Sequence, residues 1–117
     1  MRRLTVQETR EATYNIQLAA DILSHPRVKA IPFALPSANV ASVLREVVGR
    51  LKQRSKALKS DEIDGISHAL QTGADYLQSE QIASLNFRDG LFPGREDVVI
   101  CLRGIVARIK LMLGRKS

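Results

Sequence analysis

Two histidines, one cysteine and twelve acidic side chains are the groups in this 117-residue chain with the chemistry for proton transfer, nucleophilic attack or metal binding. His68 follows Asp64 by one helical turn, the spacing at which a carboxylate orients an imidazole. A lone pair of this kind is expected to make a surface hydrogen bond rather than a catalytic dyad. His25 stands before Pro26 at a helix end. Cys101 lies among Val98, Val99, Ile100 and Leu102, so a buried, inert thiol is expected. No CxxC, HxxH or HExxH spacing supplies converging metal ligands. The carboxylates gather at helix starts (Asp61, Glu62 and Asp64, then Glu96 and Asp97), where they complement the positive end of a helix dipole. No strand is read, so no glycine-rich phosphate loop can follow one. The expectation is a protein that is not an enzyme, with no catalytic residue, metal ligand or cofactor.

The strongest functional signal is cationic. Between Arg45 and Lys59 stand six basic residues, Arg45, Arg50, Lys52, Arg54, Lys56 and Lys59, against the single acid Glu46. At about 100° per residue, Arg45, Lys52, Lys56 and Lys59 fall within roughly 60° of one another on a helix. Arg50 and Arg54 form a second row on the other flank. Arg103 and Lys110, seven residues apart, are expected on the exposed side of the last helix, with Arg108 beside them. These eight positions, Arg45, Lys52, Lys56, Lys59, Arg50, Arg54, Arg103 and Lys110, are the candidate partner-binding residues. For the stripe on the second helix taken alone, a solvated face is the blander and slightly preferred use of the same charges.

The elements that must position these residues are read as four helices. The first runs from about Val6 to Ser24, opened by a Thr5/Glu8 capping box and carrying Tyr14, Ile16, Ala19, Ala20, Ile22 and Leu23 as its buried face. The second runs from Ser37 or Asn39 to about Leu58, with Val40, Leu44, Val47, Leu51 and Leu58 on one side. The third, capped by Ser60, reaches about Ser79 on Ile63, Ile66, Leu70, Ala74 and Leu77, and Gly73 in its interior marks a close helix approach. The fourth, about Arg95 to Leu113, is the most apolar and is expected to be the most enclosed. Two connections interrupt them. Residues 26–36 hold three prolines, and residues 80–94 hold the turn signals Asp89-Gly90 and Pro93-Gly94. Both are read as long apolar loops, with Phe33, Phe87 and Phe92 capping the ends of the helices rather than forming an exposed patch. The expected fold is all-α: an antiparallel four-helix bundle, up-down-up-down, with two long apolar loops packed over its ends, and residues 1–117 forming one domain.

Composition bounds the remaining choices. At 44% hydrophobic the chain has enough apolar residues for a core and is not of the disordered class. The formal net charge of +6 suits an acidic protein or complex, nucleic acid or an anionic membrane surface. One cysteine allows no internal disulfide, and Met1-Arg2-Arg3-Leu4-Thr5 has no apolar stretch behind it, so a cytoplasmic protein is expected, a mature chain cut from a targeted precursor being the other reading.

Among these classes an acidic protein or complex is preferred, bound by a small adaptor, inhibitor, immunity or assembly protein. Nucleic acid is second: the helix after the Leu58–Asp61 joint opens with Asp61, Glu62 and Asp64, which would meet phosphates head on, and no aromatic residues interleave with the basic stripe. A membrane surface is third, since the wide apolar face of the last helix suits tertiary packing.

In texture the stretch Val43-Leu44-Arg45-Glu46-Val47-Val48-Gly49-Arg50-Leu51-Lys52 resembles the second helix of the small bacteriocin immunity proteins, helical bundles that protect a producer cell by binding a partner complex at the inner membrane face. Glu8-Thr9-Arg10-Glu11, Leu44-Arg45-Glu46, and Phe92-Pro93 some twenty residues before Gly114-Arg115-Lys116, are similar to the lumenal assembly factors of photosystem II. The tyrosine-arginine-arginine element of that second family is missing near the end of the second helix. Neither resemblance is specific enough to assign a family.

Overall fold

The computed structural model describes residues 6–52, 60–90, 92 and 94–114, and every element among them is helical. Six helices follow in order: α1 (Val6–Leu23), α2 (Pro26–Lys29), α3 (Ser37–Lys52), α4 (Ser60–Leu77), α5 (Glu80–Asp89) and α6 (Arg95–Gly114). The four long ones make the principal contacts, α1 against α3 and α6, and α4 against the same two. Their inward rows form one core that includes Ile16, Leu23, Leu44, Ile63, Leu70, Leu102 and Ile109.

The expected core face of α4 is observed, whereas α6 departs from the enclosure expected of it. Ile63, Ile66, Leu70, Ala74 and Leu77 are all buried. On α6, Val98, Val99, Leu102, Ile105, Val106 and Ile109 are buried, but Ile100 is 69% exposed and Cys101 only half-buried. This helix is therefore open along one side rather than enclosed. Tyr14 is also outside the core, 66% exposed. The buried row of α1 runs Thr9, Ala12, Ile16, Ala19, Ala20 and Leu23, at three- and four-residue steps that pass Tyr14 by.

Both connections contain helices where loops were expected. In the first, Pro26 stands at the start of a single turn, where its missing N–H costs nothing, and His25 caps it by accepting the Arg27 amide on Nδ1 at 3.1 Å. Val28 is fully buried beneath this turn, Ile31 and Phe33 are partly buried, and Leu35 is exposed. The Pro36 carbonyl accepts from the Asn39 and Val40 amides as α3 begins. In the second, the turn signals act only at the end. Gly90 and Gly94 have positive φ, 63° and 83°, while residues 80–89 lack any breaker and form α5. Ser79 caps it, its hydroxyl accepting the Ile82 amide at 3.5 Å, and Ile82 is fully buried.

Two aromatics of these connections pack as end caps. Phe33 lies 4.5 Å centroid to centroid from Tyr76, whose hydroxyl donates to the Leu35 carbonyl at 2.7 Å. Phe92 is buried, edge-on to His25 at 5.5 Å. The Thr5 cap, the Leu58 contact, the joint ahead of Ser60 and the Phe87 side chain lie outside the described residues.

Helix approach at Gly73 is close. A methyl group there would stand 3.1 Å from Leu44 Cδ1, so α4 presents bare backbone to α3 at this level. Arg95, nine-tenths buried, donates from Nη1 to the Leu77 carbonyl, which ties the first turn of α6 to the last turn of α4. A guanidinium at that point also meets the negative end of the α4 dipole.

Candidate functional site

Arg45, Arg50, Arg103 and Arg108 each reach across to a neighbouring helix. Arg45 on α3 reaches α1, with Nη2 at 3.1 Å from Asp21 Oδ1 and Nη1 donating to Ser24 Oγ at 3.0 Å. Arg50 on α3 reaches α4, with Nη1 at 3.3 Å from Glu62 Oε2. Arg103 on α6 reaches α4, donating to Asp75 at 2.9 Å and to Gln78. Arg108 on α6 reaches α1 and pairs with Glu8. Each of the four principal helix seams thus carries one arginine–carboxylate bridge among the described residues, and in every case the arginine comes from α3 or α6 and the acid from α1 or α4.

This arrangement follows from how charge is distributed along the chain. α1 carries Glu8, Glu11 and Asp21 against Arg10, and α4 carries Asp61, Glu62, Asp64 and Asp75 with no lysine or arginine. α3 carries Arg45, Arg50 and Lys52 against Glu46, and α6 carries Arg95, Arg103, Arg108 and Lys110 against Glu96 and Asp97. Acidic and basic helices alternate around the core. The pairs are largely solvent-exposed, so each contributes about 0.2–1 kcal/mol at most.

The eight candidate residues therefore have different standings. Arg45, Arg50 and Arg103 are exposed but engaged within the molecule. Lys52 and Lys110 are exposed and form no ion pair among the described residues. Lys52 is on α3 and Lys110 on α6, helices that make no principal contact with each other. Arg54, Lys56 and Lys59 lie outside the described residues. Beside Arg50 a groove of about 310 Å³ opens between α3 and α4, with Val47 and Ile66 in its lining and Glu46, Asp61 and Glu62 around it. Its carboxylates outnumber its one arginine, so this part of the α3 surface is not cationic.

The other reactive groups have structural positions. His25 caps α2, and His68 is exposed with no bond to Asp64 among the described residues. The Thr72 hydroxyl donates to the His68 carbonyl at 2.9 Å. Burial pushes the Cys101 thiol pKa up, the Glu11 carboxylate adds to that, and the Arg108 guanidinium opposes it. Among the described residues no three His, Cys, Asp or Glu side chains are placed to hold a metal ion, and no helix is long and apolar enough to cross a membrane.

The seam bridges and the alternation of charge were readable only in part before the structure. The charges of each helix are plain in the sequence, but which helices adjoin is not, and the bridges depend on that. A scan against protein-family models, a search of the curated proteins and a search of the solved structures each find no match to this chain, so neither resemblance noted in the sequence gains support and the functional reading rests on the geometry.

Proposed function

We propose that this chain is a small, non-enzymatic binding protein, an adaptor, inhibitor, immunity or assembly factor, that meets an acidic macromolecular partner with the cationic end of α3. The scaffold of that reading is an antiparallel four-helix bundle. Contacts of Tyr76 with Phe33 and Leu35, of Gly73 with Leu44 and of Glu62 with Arg50 support opposite directions for α3 and α4. The Leu77–Arg95 and Glu8–Arg108 contacts support the same for α4 with α6 and for α6 with α1.

The observation that carries the functional reading is Lys52. It is exposed and free of any ion pair among the described residues, and Arg54, Lys56 and Lys59 follow it in the sequence. Internal neutralisation of Arg45 and Arg50 narrows the reading to this end of α3. It also reduces the cations free to neutralise phosphates, which favours a protein over nucleic acid. A protein interface with an apolar core beside these charges would weaken less with salt than phosphate binding does.

The test is affinity capture from native host lysate, with and without nuclease, comparing the wild type with Lys52→Glu/Lys56→Glu. A protein retained through nuclease and lost from the double variant is the expected result. Partners lost on nuclease treatment would move the reading to a nucleic-acid-binding regulator. Capture unchanged by the substitutions would reduce the stripe to a solvated face.

A further inference from the structure

α6 has an apolar line on the side that faces solvent. Ile100, Gly104 and Ala107 recur at four and three residues, within about 60° of one another, and all three are exposed. Among the described residues Ile100 is the most exposed of the large apolar side chains, at 69%. Gly104 has nothing within 4 Å of the position a Cβ would take, so the backbone is bare at the centre of the line. A helix that is apolar on opposite sides belongs between two layers of protein, and here only one side is covered.

The charges beside this line are ordered along the helix. Glu96, Arg103 and Lys110 follow one flank at seven-residue steps, and Asp97 and Arg108 follow the other. Acids stand at the N-terminal end of both flanks and bases at the C-terminal end. The middle position, Arg103, is already neutralised by Asp75, and Arg108 pairs with Glu8. Glu96 has only a distant contact with Arg95, at 3.9 Å, and Lys110 has no ion pair among the described residues.

We propose that this face is a self-association surface on which two copies of the chain pair antiparallel through Ile100, Gly104 and Ala107 of α6. The occupant is identified by charge. Two-fold pairing of antiparallel helices sets each flank against the same flank of the other copy in reverse order. With Gly104 near the axis, Glu96 of one copy then comes opposite Lys110 of the other, twice, and Asp97 comes opposite Arg108. Ile100 of each copy meets Gly104 and Ala107 of its partner, a large side chain against a bare stretch of helix. Parallel two-fold pairing would exchange the flanks at equal height and set Lys110 against Arg108 and Glu96 against Asp97, like charges in both cases. The proposal is independent of the cationic end of α3 and requires only the purified chain.

Sedimentation velocity over a range of concentrations tests it. The wild type is expected to move from 13.0 kDa toward twice that mass as concentration rises. Ile100→Glu, at an exposed position that leaves the fold intact by circular dichroism, abolishes the shift. Glu96→Lys and Lys110→Glu each weaken association on the order of tenfold or more, because like charges then face one another. The double variant Glu96→Lys/Lys110→Glu restores it, since the pair is re-formed with its signs exchanged. Monomer at every soluble concentration would overturn the proposal, as would a dimer indifferent to Ile100→Glu or a double variant that recovers nothing.

Discussion

Alanine at Gly73 and alanine at Gly65 place the same substitution in the interior of the same helix, α4, against two different surroundings. In both, replacing glycine lowers the entropy lost on folding and favours the helix by about 1 kcal/mol. At Gly65, which is exposed with nothing within 4 Å of the new methyl group, that gain stands alone. At Gly73 the methyl group would lie 3.1 Å from Leu44 Cδ1 and 3.5 Å from Cδ2. Leu44 is fully buried, so its isobutyl group has no open space into which to turn. Forcing a methyl group into a packed core costs about 1–3 kcal/mol. Gly73→Ala should therefore be neutral to about 2 kcal/mol destabilising, and Gly65→Ala about 1 kcal/mol stabilising. Urea denaturation followed by far-UV circular dichroism measures both on one scale. A cycle with Leu44→Ala isolates the cause: in that background Gly73→Ala should turn stabilising, because the atoms it collides with are gone. Should Gly73→Ala stabilise the wild type as much as Gly65→Ala does, α3 and α4 are not in contact at this level and the reasoning fails.

Arg95→Met should destabilise the protein by about 1–2 kcal/mol. It removes a charged hydrogen bond to the Leu77 carbonyl, while relieving the burial of an Nε that has no partner among the described residues; a denaturation midpoint at or above that of the wild type would show the second effect to dominate. Cys101 should react with a thiol-specific disulfide reagent more slowly than a free cysteine at the same mildly alkaline pH. A raised pKa leaves less thiolate at any given pH. Glu11→Gln should quicken the reaction and Arg108→Gln slow it, and the reverse order of rates would refute the assignment of those two charges.

Much of the helical framework was legible because the apolar rows of α3, α4 and α6 keep strict three- and four-residue steps on large side chains. Gly73 was legible for a related reason: a glycine inside a helix is costly unless something needs the space, and Leu44 does. α1 was harder. Ile16, Ala19, Ala20 and Leu23 were read correctly as buried, but Thr9 and Ala12 hold the start of that row while the bulkier Tyr14, two residues before Ile16, is exposed. α5 was obscured by the two turns at its end, although Ser79 and Glu80 already mark its start. The candidate surface was least legible. Arg45 and Arg50 look free along their own helix, and only the neighbours brought beside them, Asp21 and Glu62, show that they are engaged.

The alternation of acidic and basic helices also bears on which competing arrangements the chain avoids as it collapses. Cycling four helices around a core in any other neighbour order sets α1 beside α4 and α3 beside α6, acid against acid and base against base. A misassembled globule of that kind retains its greasy interior but loses two of its four cross-seam attractions and gains two like-charge seams in their place. Weak exposed bridges thus act by frustrating the wrong neighbours more than by holding the right ones, and they do so without distinguishing a left-turning from a right-turning ring, since both keep the same adjacencies. That choice of hand falls to the connections and to the fit of side chains such as Leu44 against Gly73.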